Sequence, residues 1–272
     1  MVRVTTTDRR AVLRAGAGIV ASGALTTGCA PGTAASPRTP ASPRTPASPA
    51  SSSRTSSSRT PASHTPAPAP LLHYPAQISH GPRDRPRVAL TFHGGGDPAT
   101  AHAVLAAAEE HGSRVTVFAV GTWLDAHPGL ARRVLDGGHE LGNHTLRHLD
   151  INAMSEADAD AEIRGCAQRL KALTGSVGTW FRPSRGARAS PLVERLARRA
   201  GYPHVLSYDV DSLDFTSPGA PAVVANVMAD VRAGSIVSLH FGYADTVAAF
   251  PGLLHELDRR GMRAVTTTEL LT

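Results

Sequence analysis

The chain has 272 residues, 41% of them hydrophobic, with a formal charge of +6 and a pI near 10.1. That length suits one large domain or two small ones, and the apolar share is ordinary for a globular protein. The basicity is local: residues 1–75 hold eight of the 28 basic residues and one of the 22 acidic ones, leaving 20 against 21 in the remainder. The near-neutral remainder argues against a nucleic-acid-binding face.

The chain opens with Arg9-Arg10 and Arg14, followed by a weakly apolar run from Ala15 to Leu25. A charged stretch before an apolar run too short to span a bilayer predicts an export signal, and the paired arginines resemble a twin-arginine one. The run ends at Gly28-Cys29, similar to a lipoprotein cleavage site, although Thr26 stands where leucine is usual. Residues 1–29 are therefore expected to be an export signal of lipoprotein type. Cys29 would carry a lipid anchor and hold the protein on the membrane at the cell surface.

Residues 30–75 are rich in Pro, Ser, Thr and Ala, and Ala-Ser-Pro-Arg-Thr-Pro occurs at 35–40 and again at 41–46. Such a segment has little to bury and is expected to form a disordered tether. Extended by proline, about forty residues reach on the order of 100 Å. Cys29 and Cys166 lie in unlike contexts, so no disulfide is expected, and Cys166 reads as a small buried hydrophobe.

From Arg87 onward, short apolar runs alternate with helical patterns. Strands are expected at 88–92, 115–120, 139–141, 179–181, 204–208, 235–240 and 263–266, and helices at 99–111, 125–136, 155–173, 190–200, 220–232 and 245–260. Pro98, Pro128, Pro191, Pro221 and Pro251 fall near the expected helix starts, where proline is tolerated. About seven strand–helix units predict a parallel sheet in one domain over residues 80–272. Its length of about 190 residues is short for a complete barrel, which takes ~250.

Polar residues gather where these strands end. His93 follows the first strand, Asn143 and His144 the third, Arg182 the fourth, Asp209, Asp211 and Asp214 the fifth, and His240 ends the sixth. In parallel α/β folds the carboxyl ends of strands are where sites are built. His144 and His148 stand four apart, and on a helical turn that spacing would put both imidazoles on one face, able to share a metal ion.

In order along residues 86–270, five segments resemble the polysaccharide deacetylase (NodB-homology, carbohydrate esterase family 4) domain. They are Val88-Ala-Leu-Thr-Phe92, His139-Glu-Leu-Gly-Asn-His144-Thr-Leu-Arg-His148, Phe181-Arg182-Pro183-Ser184-Arg185-Gly186, Tyr208-Asp-Val-Asp-Ser-Leu-Asp214-Phe215 and Ser235-Ile-Val-Ser-Leu-His240. Val117-Phe118-Ala-Val-Gly121 is similar to the family's second strand. The resemblance implies a distorted, incomplete (β/α) barrel and metal-dependent removal of acetyl groups, from nitrogen or oxygen, on an N-acetylated polysaccharide such as peptidoglycan. It implies His144 and His148 as metal ligands, His240 as the acid paired with Asp214, and Arg182 as the tether of a catalytic carboxylate. A weaker reading has Asn143 positioning the metal-binding loop. Two imidazoles and a third ligand suit zinc, with cobalt or nickel as alternatives. A monomer is expected.

The family's opening motif, Thr-Phe-Asp-Asp-Gly, is altered. Thr91-Phe92-His93-Gly94-Gly95 puts His93 at the base position and glycine at a metal-ligand position. Three readings follow. Asp97 reaches back to the metal across three glycines while His93 acts as a neutral base. Alternatively, His93 is itself the third ligand and Asp97 is the nearby carboxylate left to act as base. Or the domain has lost turnover and binds glycans.

Overall fold

The structure, a computed structural model, describes residues 74–272. The expected export signal, Cys29 and the expected tether, except for Tyr74 and Pro75, lie outside the described residues.

The strands are β1 (Gln77–Ile78), β2 (Arg87–Gly94), β3 (Thr116–Ala119), β4 (Glu140–Asn143), β5 (Val205–Leu206), β6 (Val210–Asp211), β7 (Ile236–His240) and β8 (Arg263–Val265). The helices are α1 (Pro98–Glu110), α2 (Gly121–Ala126), α3 (Gly129–Asp136), α4 (Glu156–Thr174), α5 (Pro191–Arg199), α6 (Ala220–Asp230), α7 (Ala244–Arg259) and α8 (Thr267–Leu271). Every ladder is parallel, in the order β4-β3-β2-β7-β6, and β8 pairs with the start of β2. β1 pairs with β5. Phe181 bridges to both Asn143 and Val205, so it stitches β4 towards β5. Among the described residues no ladder joins β5 to β6, and the barrel is incomplete there.

The two-residue period of β2 divides its side chains between two environments. Val88, Leu90 and Phe92 join α1 and α7 in the main buried cluster, where the Phe92 ring stacks on Phe241 at 4.9 Å and meets Phe250 edge-on. Ala89 instead belongs to the cluster with Phe118, Trp180, Leu206 and Ile236. Thr91 and His93 share its phase and face into the barrel.

Several boundaries follow from local chemistry. The helix expected at 125–136 is two: proline disfavours helical geometry in the residue before it. His127 sits at φ −135°, α2 ends, and Pro128 becomes the N-cap of α3. Ser155 and Ser190 cap α4 and α5, and α8 starts with a capping box between Thr266 and Glu269. Pro251 lies inside α7, well past the helix start expected for it. The strand expected at 179–181 is reduced to the bridging residue Phe181, and β1 and β6 are two-residue strands the sequence did not announce.

Candidate metal centre and active site

β2 and β7 pair so that His93 lies opposite His240, both at strand carboxyl ends, with ring centroids 4.3 Å apart. β4 delivers His144 beside them, its ring 4.4 Å from that of His93 and 4.8 Å from that of His148. One ligand nitrogen from each of His93, His144 and His148 falls within 4.8 Å of the other two.

The His144–His148 segment is not a helical turn. Thr145 and His148 both take positive φ, 69° and 57°, and the chain loops to bring the imidazoles together. Such conformations are uncommon for residues other than glycine, and here buried polar groups hold them. Asn143 Oδ1 accepts from Thr145 N at 2.8 Å, while Asn143 Nδ2 donates to the carbonyl of Ile163 and to the Tyr202 hydroxyl. Thr145 Oγ1 donates to Ser184 Oγ. The buried Glu162 carboxylate accepts from Arg147 N at 2.8 Å and from Arg147 Nε at 2.6 Å.

The rings are prepared as neutral ligands. His144 Nδ1 lies 3.0 Å from the carbonyl of Arg182. A carbonyl only accepts, so that nitrogen carries the proton and Nε2 keeps its lone pair. Burial, then the neighbouring His144, His240 and Arg182, holds His93 well below the usual imidazole range. Burial and then His148 do the same to His144, and burial and Arg185 lower His148. Metal ligation requires the neutral ring.

Arg182 is fully buried and makes no ion pair among the described residues. Its Nη1 donates to Thr91 Oγ1 at 2.8 Å, its Nε and Nη2 to the carbonyls of Leu206 and Ser207, and its guanidinium lies 4.2 Å from the Phe118 ring centroid. Burial pushes it down to about 9. In place of a tethered carboxylate it faces His93 Nε2, at 3.4 Å.

Asp214 and His240 form a closed pair. The buried Asp214 carboxylate lies 2.7 Å from His240 Nδ1 and accepts from His240 N at 2.7 Å and Thr246 Oγ1 at 2.6 Å. That leaves His240 Nε2 available to a hollow of about 560 Å³ lined by His93, Trp123, Arg147, His148, His240 and Tyr243. Phe215, 44% exposed, stands 5.6 Å from the His240 ring.

Asp97 is not brought to this cluster. It is exposed at the N-cap of α1, where its carboxylate accepts from Ala99 N at 2.9 Å. An aspartate immediately before Pro98 is better satisfied by the orphan amides of a helix start than by reaching back across the loop. Gly96 fixes that path: its φ is +84°, and a Cβ there would lie 2.6 Å from Gly242 Cα. Gly94 faces β3 closely, with a Cβ meeting Ala119 Cα at 3.0 Å. Of the two residues read at the altered opening motif, His93 and not Asp97 lies beside His144 and His148.

Sequence reasoning passed over Ser238, whose Oγ is 3.2 Å from His93 Nε2. Its signal was available, because Ser238 stands two before His240 and shares its face. Trp123, held by Nε1 donating to the carbonyl of Gly96 at 2.9 Å, carried no such mark.

The family model described as polysaccharide deacetylase matches residues 80–205. A peptidoglycan-N-acetylglucosamine deacetylase from Bacillus cereus is 34% identical over 194 residues, covering 70% of this chain and 90% of that protein. A chitooligosaccharide deacetylase from a Bradyrhizobium species is 31% identical over 189 residues, covering 64% and 85%. Among solved structures, a CE4 family pseudoenzyme from Bacillus anthracis superposes with a TM-score of 0.69 at 24% identity, covering 73% of this chain and 70% of its own. With its distorted parallel barrel and its ordered motifs, the chain belongs to the polysaccharide deacetylase family.

Proposed function

We propose that the protein is a metal-dependent hydrolase that removes acetyl groups from an N-acetylated cell-wall glycan, with His93, His144 and His148 as the metal ligands. The observation that carries this reading is the convergence of three imidazoles at the carboxyl end of a parallel barrel. Three nitrogen donors and an open position suit catalytic zinc, with cobalt or nickel as substitutes. When bound, the ion supplies a Lewis acid for the acetyl oxygen and lowers the pKa of the attacking water.

The chain's own residues do the rest. The hollow beside His240 admits the acetamide. His240, oriented by Asp214, takes the proton from the attacking water and returns it to the departing nitrogen, so that one imidazole serves as base and acid. Asp214 stabilises the transient imidazolium. Arg182, anchored by carbonyls and Thr91, holds the floor beneath His93. Relatives acting on peptidoglycan and chitooligosaccharide support the glycan substrate. The Arg9-Arg10 segment and Cys29 support action outside the cytoplasm on a lipid anchor, which labelling with a radioactive fatty acid tests against a Cys29→Ser control.

A second reading, a glycan-binding module without turnover, is favoured by one observation: neither carboxylate of the family's opening motif is present at His93-Gly94. Acetate release from acetylated chito-oligomers and peptidoglycan, with added Zn²⁺ or Co²⁺, separates the two. Release supports the hydrolase. Glycan binding without release from any substrate overturns it.

A further inference from the structure

Two arginines meet at His148. Arg147, the residue before it, lines the hollow together with His148 and His240. Arg185 reaches it from another loop, with Nε donating to the His148 carbonyl at 3.1 Å. Arg147 gives its backbone N and its Nε to the buried Glu162 carboxylate. Each side chain therefore has Nε engaged and its terminal Nη1 and Nη2 without a protein partner among the described residues. Those two nitrogens are the forked donors that grip a carboxylate.

The two charges differ. Glu162 offsets that of Arg147. Arg185 is exposed and makes no ion pair among the described residues. Acidic groups near the site are engaged elsewhere: Asp150 accepts from Asn152 N, Asp97 from Ala99 N, and Asp214 holds His240. A permanent positive charge thus stands uncompensated beside the hollow. It is also fixed in place. Segment 184–188 is fastened to segment 148–152 at three points: Ser184 Oγ donates to the Leu149 carbonyl, Arg185 Nε to that of His148, and Asn152 Nδ2 to that of Arg188. Arg185 and His148 both take positive φ, 55° and 57°. Residues with a Cβ persist there only where their surroundings hold them, and they gather at ligand clamps. A cation anchored at both its backbone and its Nε loses less freedom on binding an anion than a mobile surface arginine does.

We propose that Arg185, assisted by Arg147, receives a carboxylate of the substrate, so that the site selects an acidic N-acetylated glycan, one with a carboxylate on a sugar beside the reacting acetamide. The inference rests on the reading of this site as one for an N-acetylated glycan. Neutral chito-oligomers offer the arginines hydroxyls alone. Two sources present the required planar anion: the lactyl ether of a muramic acid and the acid group of a uronic acid.

The test is calorimetric titration of the metal-free full chain, which needs no turnover. The ligands are an oligomer of alternating N-acetylglucosamine and N-acetylmuramic acid, a hyaluronan oligomer of the same length, and the methyl ester of each. At least one acid should bind more tightly than its own ester by about threefold to tenfold, between the weak coupling of an exposed ion pair and that of a bidentate charged one. The tighter acid names the source. The preference should shrink with added salt, vanish in Arg185→Gln, and persist in Arg185→Lys in part and in Arg195→Gln, a change on α5, in full. Arg147→Gln should reduce it too, but that variant also strips Glu162 of its partner, so Arg185→Gln decides. Zinc-loaded His240→Ala should show the same preference. Equal binding of acid and ester in both pairs, a preference that survives Arg185→Gln, or one that exists only with zinc bound and so belongs to the ion, overturns the inference. Acetate release from neutral oligomers alongside equal binding would overturn it while leaving the proposed hydrolase standing. Binding of none of these glycans removes both.

Discussion

His93 Nδ1 lies 2.8 Å from His144 Nε2, and the two rings cross at 88°. Tetrahedral ligands at about 2.0–2.1 Å from a zinc ion stand roughly 3.4 Å apart, so a small outward movement of either ring admits an ion. The same contact argues against His93 as a free base. One of its nitrogens is turned to His144 and the other to Ser238 and Arg182, which leaves neither aimed at a substrate water.

His93→Ala, His144→Ala and His148→Ala should each abolish stoichiometric metal binding, measured by elemental analysis after dialysis. The His93 variant is the informative one. A base can be removed without losing the ion, whereas a third ligand cannot.

Asp97→Ala should leave metal content intact and cost about 1 kcal/mol of stability through loss of the α1 cap. Chemical denaturation together with elemental analysis checks both halves. Loss of the metal in this variant would restore Asp97 as a ligand.

His240→Ala and Asp214→Asn should keep the metal yet lower kcat by about 10²–10⁴-fold, the usual range for a positioned acid–base group. Steady-state acetate release, paired with metal analysis of the same preparations, reads this directly.

The metal-free protein should lose stability as pH falls below about 6.5, the ordinary imidazole value. His93, His144 and His148 are all depressed in the folded state, mainly by burial. The unfolded chain therefore takes up protons first, and acid favours it. Melting temperatures at pH 7.5 and 5.5 should differ more for wild type than for His144→Asn, and bound zinc should reduce the difference by excluding protons from the rings.

Much of the fold could be read from period and punctuation. The apolar run Val88–Phe92 marked β2, and prolines marked several helix starts. The two-residue strands β1 and β6 were illegible because a two-residue run has no period to detect. At the site, residue types were easier to read than their geometry. His144 and His148 were legible as a pair, but the helical turn assumed for them is a loop with two left-handed residues, held by the adjacent Asn143 and by Glu162 of α4. Asp97 was misplaced because spacing across Gly94-Gly95-Gly96 shows reach and not direction. A local amide satisfied it first. That the buried Arg182 has no ion pair among the described residues could not have been foreseen, since its partners are backbone carbonyls and the Thr91 hydroxyl.

Anomalous diffraction from crystals soaked with zinc tests the central claim most directly. The account predicts one ion at about 2.0–2.1 Å from nitrogens of His93, His144 and His148, with Asp97 still capping α1. An ion held by His144 and His148 with the Asp97 carboxylate, or with His93 turned away, would contradict it.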